Sequence, residues 1–298
     1  MKTMLIVDGD GLLVRSHYAV GKDIMTKADL EVGGVDKFVH VLRRQIRTWD
    51  ADAVFIALDP MGPTTVRHKE YKEYKEYKDY KGNREPKPPG LVHSKSILGS
   101  IMTAMGAAVH NDDEYEADDL VAAMVHATAG GEWRAVVSSH DKDLLGLTTY
   151  DHVIIAPPFQ IEPIKREDVF TKMKVRADQI MDYLALLGDE ADNIPGVDGC
   201  GKGKASALLE KYGTLESIVA AAERGEIANK LGECIRRQGK RAVAFRDLMV
   251  LRHQAPILDV AACAIGEPAY NTLLPLLLEN NLMALYKEAL ADSTATGA

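Results

Sequence analysis

Long apolar runs are missing from this 298-residue sequence: none approaches the roughly 20 consecutive residues that a membrane span requires. The opening "MKTMLIVDGDGL" meets acid too early for a signal peptide, so a cytoplasmic protein with no membrane partner is expected. Cysteine is scarce as well. Cys200, Cys234 and Cys263 are odd in number, widely spaced and without a Cys-x-x-Cys pair, which fits a reducing compartment and speaks against a disulfide framework or a zinc site. An overall basic excess is also lacking, and a formal charge of −8 at first argues against nucleic acid as a partner. Charge is uneven, however. Residues 64–88 carry eight Lys or Arg against five acids, and residues 230–246 carry six against one, so basic patches exist and the acids must be concentrated elsewhere.

What is present is ordinary globular material, 46% hydrophobic and 27% charged, in a chain long enough for one large domain or two smaller ones. Runs that read as buried parallel strands occur at "MLIVD" (4–8), "AVFIALD" (53–59), "RAVVSS" (134–139) and "HVIIA" (152–156). Helical patterns lie between them, which predicts an α/β fold with a mostly parallel central sheet and flanking helices. From about residue 165 the strand signals stop and the remainder reads as helices, ending in a frayed tail. The expected organisation is an α/β core over 1–165, a helical region over 166–290 and a flexible tail over 291–298.

Acids fall where such sheets bind ligands, beyond the carboxyl ends of strands. Asp8 and Asp59 end the first two strands, Asp141 and Asp143 follow the strand at 134, and Glu116, Asp118 and Asp119 open a helix. Taken singly, each is as readily a turn residue or a helix cap. Their convergence is harder to dismiss: two carboxylates 4 Å apart repel by roughly 4 kcal/mol at an effective dielectric near 20, unless cations neutralise them. Hard oxygen ligands without His or Cys select Mg²⁺ or Mn²⁺, and two such ions activate water and stabilise a leaving oxygen in phosphodiester hydrolysis. The chemistry points to a nuclease.

Downstream, "LLGDEADNIPGVDGCGKGKASALLEKYG" adds Asp189 and Asp192, then a glycine-rich hairpin between two helices. Backbone at Gly199 and Gly201, the next helix's N-terminus, and Lys202 and Lys204 form a sequence-independent grip for a DNA backbone. The repeat "KEYKEYKEYKDYKGNREPKPP" (69–89) is more ambiguous. Lys-acid pairs at i,i+4 support a helix by only about 0.3 kcal/mol each, and tyrosines stepping by three spiral instead of forming one buried stripe.

As a set, "LIVDG", "FIALD", "VRHKEY" leading to "YKGNR", "YEADDL", "DKDLLGL" and "GDEADNIPGVDGCG" resemble the 5′ nuclease family, in particular a stand-alone phage-type member. That family comprises flap endonucleases and the 5′ to 3′ exonuclease domain joined to bacterial DNA polymerase I. The resemblance covers roughly residues 4–250 and implies a PIN-like core followed by a helix-hairpin-helix near 180–212. It implies Asp8, Asp59, Glu116, Asp118 and Asp119 as ligands of one metal ion, and Asp141, Asp143, Asp189 and Asp192 as ligands of a second. K⁺ held by hairpin carbonyls, here at Val197 and Cys200, is a further implication. The segment 64–90 becomes an arch over the site, with Lys81 and Arg84 stabilising the scissile phosphate and Arg67 and Tyr80 contacting DNA. From Arg67 to Arg84 this arch is six residues longer than the polymerase-linked pattern, and Gly203 stands where a hairpin lysine is usual. The implied activity is 5′ to 3′ exonuclease or flap endonuclease in replication or repair, by a monomer acting beside a separate polymerase on DNA with a 5′ flap, overhang or nick. Removal of RNA primers from RNA-DNA hybrids and a non-catalytic branched-DNA binder are the alternatives.

Overall fold

A computed structural model describes residues 1–20, 24–26, 28–73 and 80–296. In chain order the first half contains β1 (Lys2–Asp8), α1 (Gly9–Ala19), α2 (Gly33–Trp49), β2 (Ala53–Leu58), α3 (Val66–Tyr71), α4 (Pro89–Ala104), β3 (Ala108–Asn111), α5 (Ala117–Ala127), β4 (Trp133–Ser138) and β5 (Val153–Ile155). The second half contains α6 (Arg166–Met173), α7 (Ile180–Leu187), β6 (Gly188–Asp189), β7 (Ile194–Pro195), α8 (Lys202–Tyr212), α9 (Leu215–Glu223), α10 (Asn229–Met249), α11 (Tyr270–Glu279) and α12 (Met283–Thr296).

The first five strands form one parallel sheet in the order β3-β2-β1-β4-β5. Its central strands read as unbroken apolar runs because both faces are covered. Met4 and Ile6 join one core with α5 and helices α7 to α10, while Leu5 and Val7 join another with α1, α2 and α4. The strands at 4–8, 53–59, 134–139 and 152–156 are therefore where periodicity placed them. β3 escaped that reading because it is a short, half-buried edge strand. Helix α1 escaped it because Gly9 and Gly11 flank Asp10 like a turn. Asp8 caps the helix instead, accepting the Gly11 N–H at 2.8 Å. A Cβ on Gly11 would sit 2.2 Å from that carboxylate, so the cap depends on glycine there.

The helical region does not stay on one side of the sheet. Helices α7 to α10 pack on the α5 face, but α11 and α12 return to the opposite face against α4. The return is pinned by backbone bonds from Gly266 to Gly106 and from Ala269 to Ala104, each 2.8 Å, and by an Arg43–Glu288 ion pair at 2.5 Å. Asn280 and Asn281, the latter at φ 55°, turn the chain between the two helices. Contrary to the expected frayed tail over 291–298, residues 291–296 continue α12, whose Ala289 and Ser293 are buried. Residues 269–296 thus complete the core of the first half.

Two of the arch tyrosines reach the core. Tyr71 and Tyr80 are buried with ring centroids 5.5 Å apart, and Tyr71 stacks on Phe245 of α10. The triplets between them, 74–79, lie outside the described residues. Burying a leucine contributes roughly 1.5–3 kcal/mol, and Leu273 and Leu277 of α11, Leu282 of the turn after it and Leu285 of α12 are all buried. Ending the chain at residue 268 removes an amount comparable to the whole stability of a domain. The truncated chain is expected to lose its cooperative thermal transition by circular dichroism. Retention of a wild-type transition would show that α11 and α12 are dispensable.

Candidate metal centre and nucleic-acid interface

The strand order reverses at β1, whose chain neighbour β2 lies on one side while β4 lies on the other. The carboxyl ends of β1 and β4 therefore flank a crevice of the kind in which open α/β sheets bind ligands. Asp8 ends β1, and Asp141 and Asp143 follow β4 directly. Ser139 links them: its hydroxyl donates to Asp8 at 2.8 Å while its oxygen accepts the Asp141 N–H at 2.9 Å. Asp118 enters from the first turn of α5, and Asp189 and Asp192 from the β6–β7 hairpin. Gly196 lets that hairpin close, since a Cβ there would lie 2.3 Å from the Leu187 carbonyl.

These six carboxylates, Asp8, Asp118, Asp141, Asp143, Asp189 and Asp192, line one cavity of about 380 Å³. Arg15, His140, Lys142, Lys81 and Arg84 complete its wall. Asp59 and Glu116 line a second cavity of about 160 Å³, which shares Lys81 and Arg84 with the first. Asp119 reaches neither. It is buried against Arg67, accepting from the guanidinium at 2.5 and 2.6 Å, and also accepts the Arg252 N–H at 2.9 Å.

Burial, and then the charges of Asp141 and Asp59, push the Asp8 carboxyl up to about 7 against the hydrogen bonds from Gly11 and Ser139. Burial and Asp141 push Asp143 up to about 8. Burial with Asp141, Asp8, Asp59 and Asp143 drives Asp118 well above the usual range. Asp59 behaves oppositely: despite burial, Lys81, the Ala117 N–H, Lys95 and Lys87 hold it below the ordinary value.

One oxygen of Asp143 is buried without a hydrogen-bond partner among the described residues. An orphaned carboxylate oxygen among mutually repelling neighbours is the environment a divalent cation satisfies. The donors, all carboxylate oxygens, fit such an ion. Among the described residues no three His, Cys, Asp or Glu side chains are drawn onto a single metal-sized point. Cations already hold several of the acids: Lys81 pairs with Glu116 at 2.8 Å, Arg84 with Asp192 at 2.5 Å and Lys142 with Asp189 at 2.9 Å.

The expected DNA contacts divide. Lys81, in the left-handed region at φ 58°, and Arg84 do overhang the carboxylates. Arg67 does not face solvent; it is 4% exposed, pairs with Asp119 and Glu116, and donates to the Leu248 and Val250 carbonyls. Tyr80 is likewise walled in, its hydroxyl donating to Glu116 and Asp192 at 3.3 Å. At the hairpin, Gly199 and Gly201 present open backbone and Lys202 is exposed. Lys204 folds back onto the Gly199 carbonyl at 2.9 Å, and the Val197 carbonyl accepts the Cys200 N–H at 3.0 Å. The basic run narrows too, because Arg236 and Arg241 hold backbone carbonyls while Lys230 and Lys240 remain exposed.

Sequence reasoning missed Ser139, Arg15, His140 and Lys142 as parts of the cavity. It gave no role to Asp10. Asp10 is buried, accepts the Asp59 N–H at 2.7 Å and pairs with Lys95 at 2.7 Å. A lysine on the apolar face of α4 was the available signal.

Residues 3–178 match the family model of the 5′-3′ exonuclease N-terminal, resolvase-like domain, and residues 175–271 match that of its C-terminal SAM fold. The chain is 29% identical over 262 residues to DNA polymerase I of Bacillus caldotenax, covering 86% of this chain but only 28% of that protein's length. It is 29% identical over 220 residues to a 5′-3′ exonuclease of Aquifex aeolicus, covering 74% of this chain and 73% of that one. Its fold is similar to that of a bacteriophage T5 flap endonuclease variant solved as a pseudo-enzyme-product complex with DNA and metal ions, at 17% identity and a TM-score of 0.67, covering 97% and 98% of the two chains. With family models matched across both the sheet and the helical region that follows it, the chain belongs to the 5′-3′ exonuclease family.

Proposed function

We propose that this chain is a divalent-metal-dependent 5′ nuclease that hydrolyses phosphodiesters of DNA at 5′ flaps, overhangs or nicks. The observation that carries the reading is the gathering of six carboxylates in one cavity beneath two cations, Lys81 and Arg84. Asp8, Asp118, Asp141, Asp143, Asp189 and Asp192 would hold Mg²⁺ or Mn²⁺, with Asp59 and Glu116 reaching in from the adjoining cavity. Such ions supply an activated water and charge stabilisation at the phosphate.

The protein's own groups account for orientation. Ser139 fixes the Asp8 carboxylate and the Asp141 backbone together, and the Ala117 N–H fixes Asp59 at 2.8 Å. Lys81 and Arg84 face the position where negative charge develops as the water oxygen bonds to phosphorus and the 3′ oxygen leaves, giving a 5′-phosphate. The open hairpin backbone, Lys202, and the exposed Lys230 and Lys240 suit duplex phosphates, and the Val197 and Cys200 carbonyls are the K⁺ candidates. Asp119 and Arg67 act as a structural pair instead of as metal ligand and DNA contact. A separate polymerase is the natural functional partner, consistent with the DNA polymerase I relative. Among the described residues no helix is long and apolar enough to cross a membrane.

Asp141→Asn is expected to abolish cleavage of a labelled flap in Mg²⁺ while binding in Ca²⁺ changes little; near-normal cleavage by this variant would sink the metal assignment. Lys81→Ala is expected to slow single-turnover cleavage by roughly 10²–10³-fold, the range for removing a transition-state donor, with a smaller effect on the dissociation constant. The reverse pattern makes Lys81 a phosphate tether only.

Metal-free stability should depend on pH. Asp8 and Asp143 ionise near 7 and 8 when folded, against an ordinary value of 3.8, so the folded chain binds more protons across that window. Its stability therefore falls as pH rises from about 4 to about 8. Asp59 and Asp189, held low, contribute in the opposite sense only below that window. The melting temperature in chelator is expected to be lower at pH 8.5 than at pH 5.5, and Mg²⁺ to restore more of it at the higher pH. Thermal melts showing the opposite trend count against the carboxylate cluster as the metal site.

A further inference from the structure

We infer that the smaller cavity, beside the carboxylate site, is a seat for a backbone phosphate adjacent to the one being cut, with Lys87 and Lys95 as its cationic wall. The inference rests on the nuclease reading above and names a subsite within it. The cavity has a volume of about 160 Å³, and four cations, Lys81, Arg84, Lys87 and Lys95, line it beside Asp59 and Glu116. Lys81 and Arg84 line the carboxylate cavity too, so the two spaces adjoin, and a strand crossing beneath these side chains presents successive phosphates to each.

Lys95 is the informative residue. It lies on the buried face of α4, four residues after Leu91 and three before Leu98, both in the core. Its side chain is only 8% exposed. The ammonium is compensated by Asp10, an acid outside the motif pattern, whose other oxygen accepts the Asp59 N–H. A buried ion pair of this kind adds little stability over two well-packed apolar residues, while it costs heavily if either partner is lost. What it supplies is a fixed positive charge on the cavity wall. Lys87 stands 3.6 Å from the same Asp10 with its side chain 43% exposed, a loose pairing that leaves ammonium donors for a second anion. Ammonium and guanidinium donors in a small recess beside a phosphodiester site fit a phosphate oxyanion rather than a metal ion.

The test is a coupling cycle between a side chain and a linkage. Flap substrates carry a neutral methylphosphonate immediately 5′ or immediately 3′ of the position where the wild-type protein cuts, and their dissociation constants are measured in Ca²⁺ for wild type and Lys87→Gln. Lys87 is half exposed, so folding is not at stake. One of the two neutral linkages is expected to weaken wild-type binding roughly tenfold, the size of one hydrogen bond to a charged group. The same linkage should cost Lys87→Gln little or nothing further, and which linkage does so identifies the phosphate. Penalties that persist undiminished in the variant, or no penalty from either linkage, overturn the seat. A wild type that binds neither charged nor neutral flaps overturns the nuclease reading and the seat together.

Discussion

Mutual repulsion among buried carboxylates is the constraint around which this structure is arranged. Burial in the crevice between β1 and β4, and then the charge of Asp141, raises the energy of ionising Asp8, Asp118 and Asp143. Such a cluster persists only where rigid elements impose it. The parallel sheet does so here, delivering acids at the ends of strands whose positions are fixed by register and by cores on both faces. The surrounding cations follow from the same constraint. Lys81, Arg84 and Lys142 pair with Glu116, Asp192 and Asp189, and Asp8, Asp118 and Asp143 are left to protonation or to divalent ions.

Helical geometry explains why four consecutive residues, "EADD", do different work. Glu116 and Asp119, three apart, lie on one side of the first turn of α5 and form its capping box. That side faces Arg67. Asp118, rotated about 100° from Asp119, faces the carboxylate cavity instead. A motif that looks like a run of equivalent ligands is thus divided by its own periodicity: Asp119 is held by Arg67, Asp118 lines the carboxylate cavity, and Glu116 pairs with both Arg67 and Lys81.

Much of the site was legible because its residues sit at the ends of elements whose hydrophobic pattern is strong. Asp8, Asp59, Asp141 and Asp143 could be placed at one edge from strand periodicity alone. What was not legible depends on contacts between distant segments. Arg67 reads as a basic arch residue, yet its partner is 52 residues away and buried with it. Asp10 reads as a turn acid until Lys95, from another helix, is seen beside it. The return of α11 and α12 to the far face of the sheet left no local signal either, because an amphipathic helix does not state which face it will cover.

Both stems of the arch are anchored to the helical region, and this ties the carboxylate edge to the surface proposed to hold duplex. On the first stem, Arg67 donates to carbonyls at the end of α10, Arg252 pairs with Glu70, and Tyr71 stacks on Phe245. On the second, the Lys81 N–H donates to the Asp192 carbonyl at 3.2 Å, and Asn83 donates to Asn193 at 3.0 Å. Tyr71 and Tyr80 close the base between them. The position of Lys81 over the carboxylates therefore depends on α10 and on the β6–β7 hairpin, the elements that flank the exposed hairpin glycines. Contacts alone do not measure coupling energy. They do name two buried links: among the described residues the Arg67 guanidinium and the Tyr71 ring both join α10 to the base of the segment that carries Lys81 and Arg84.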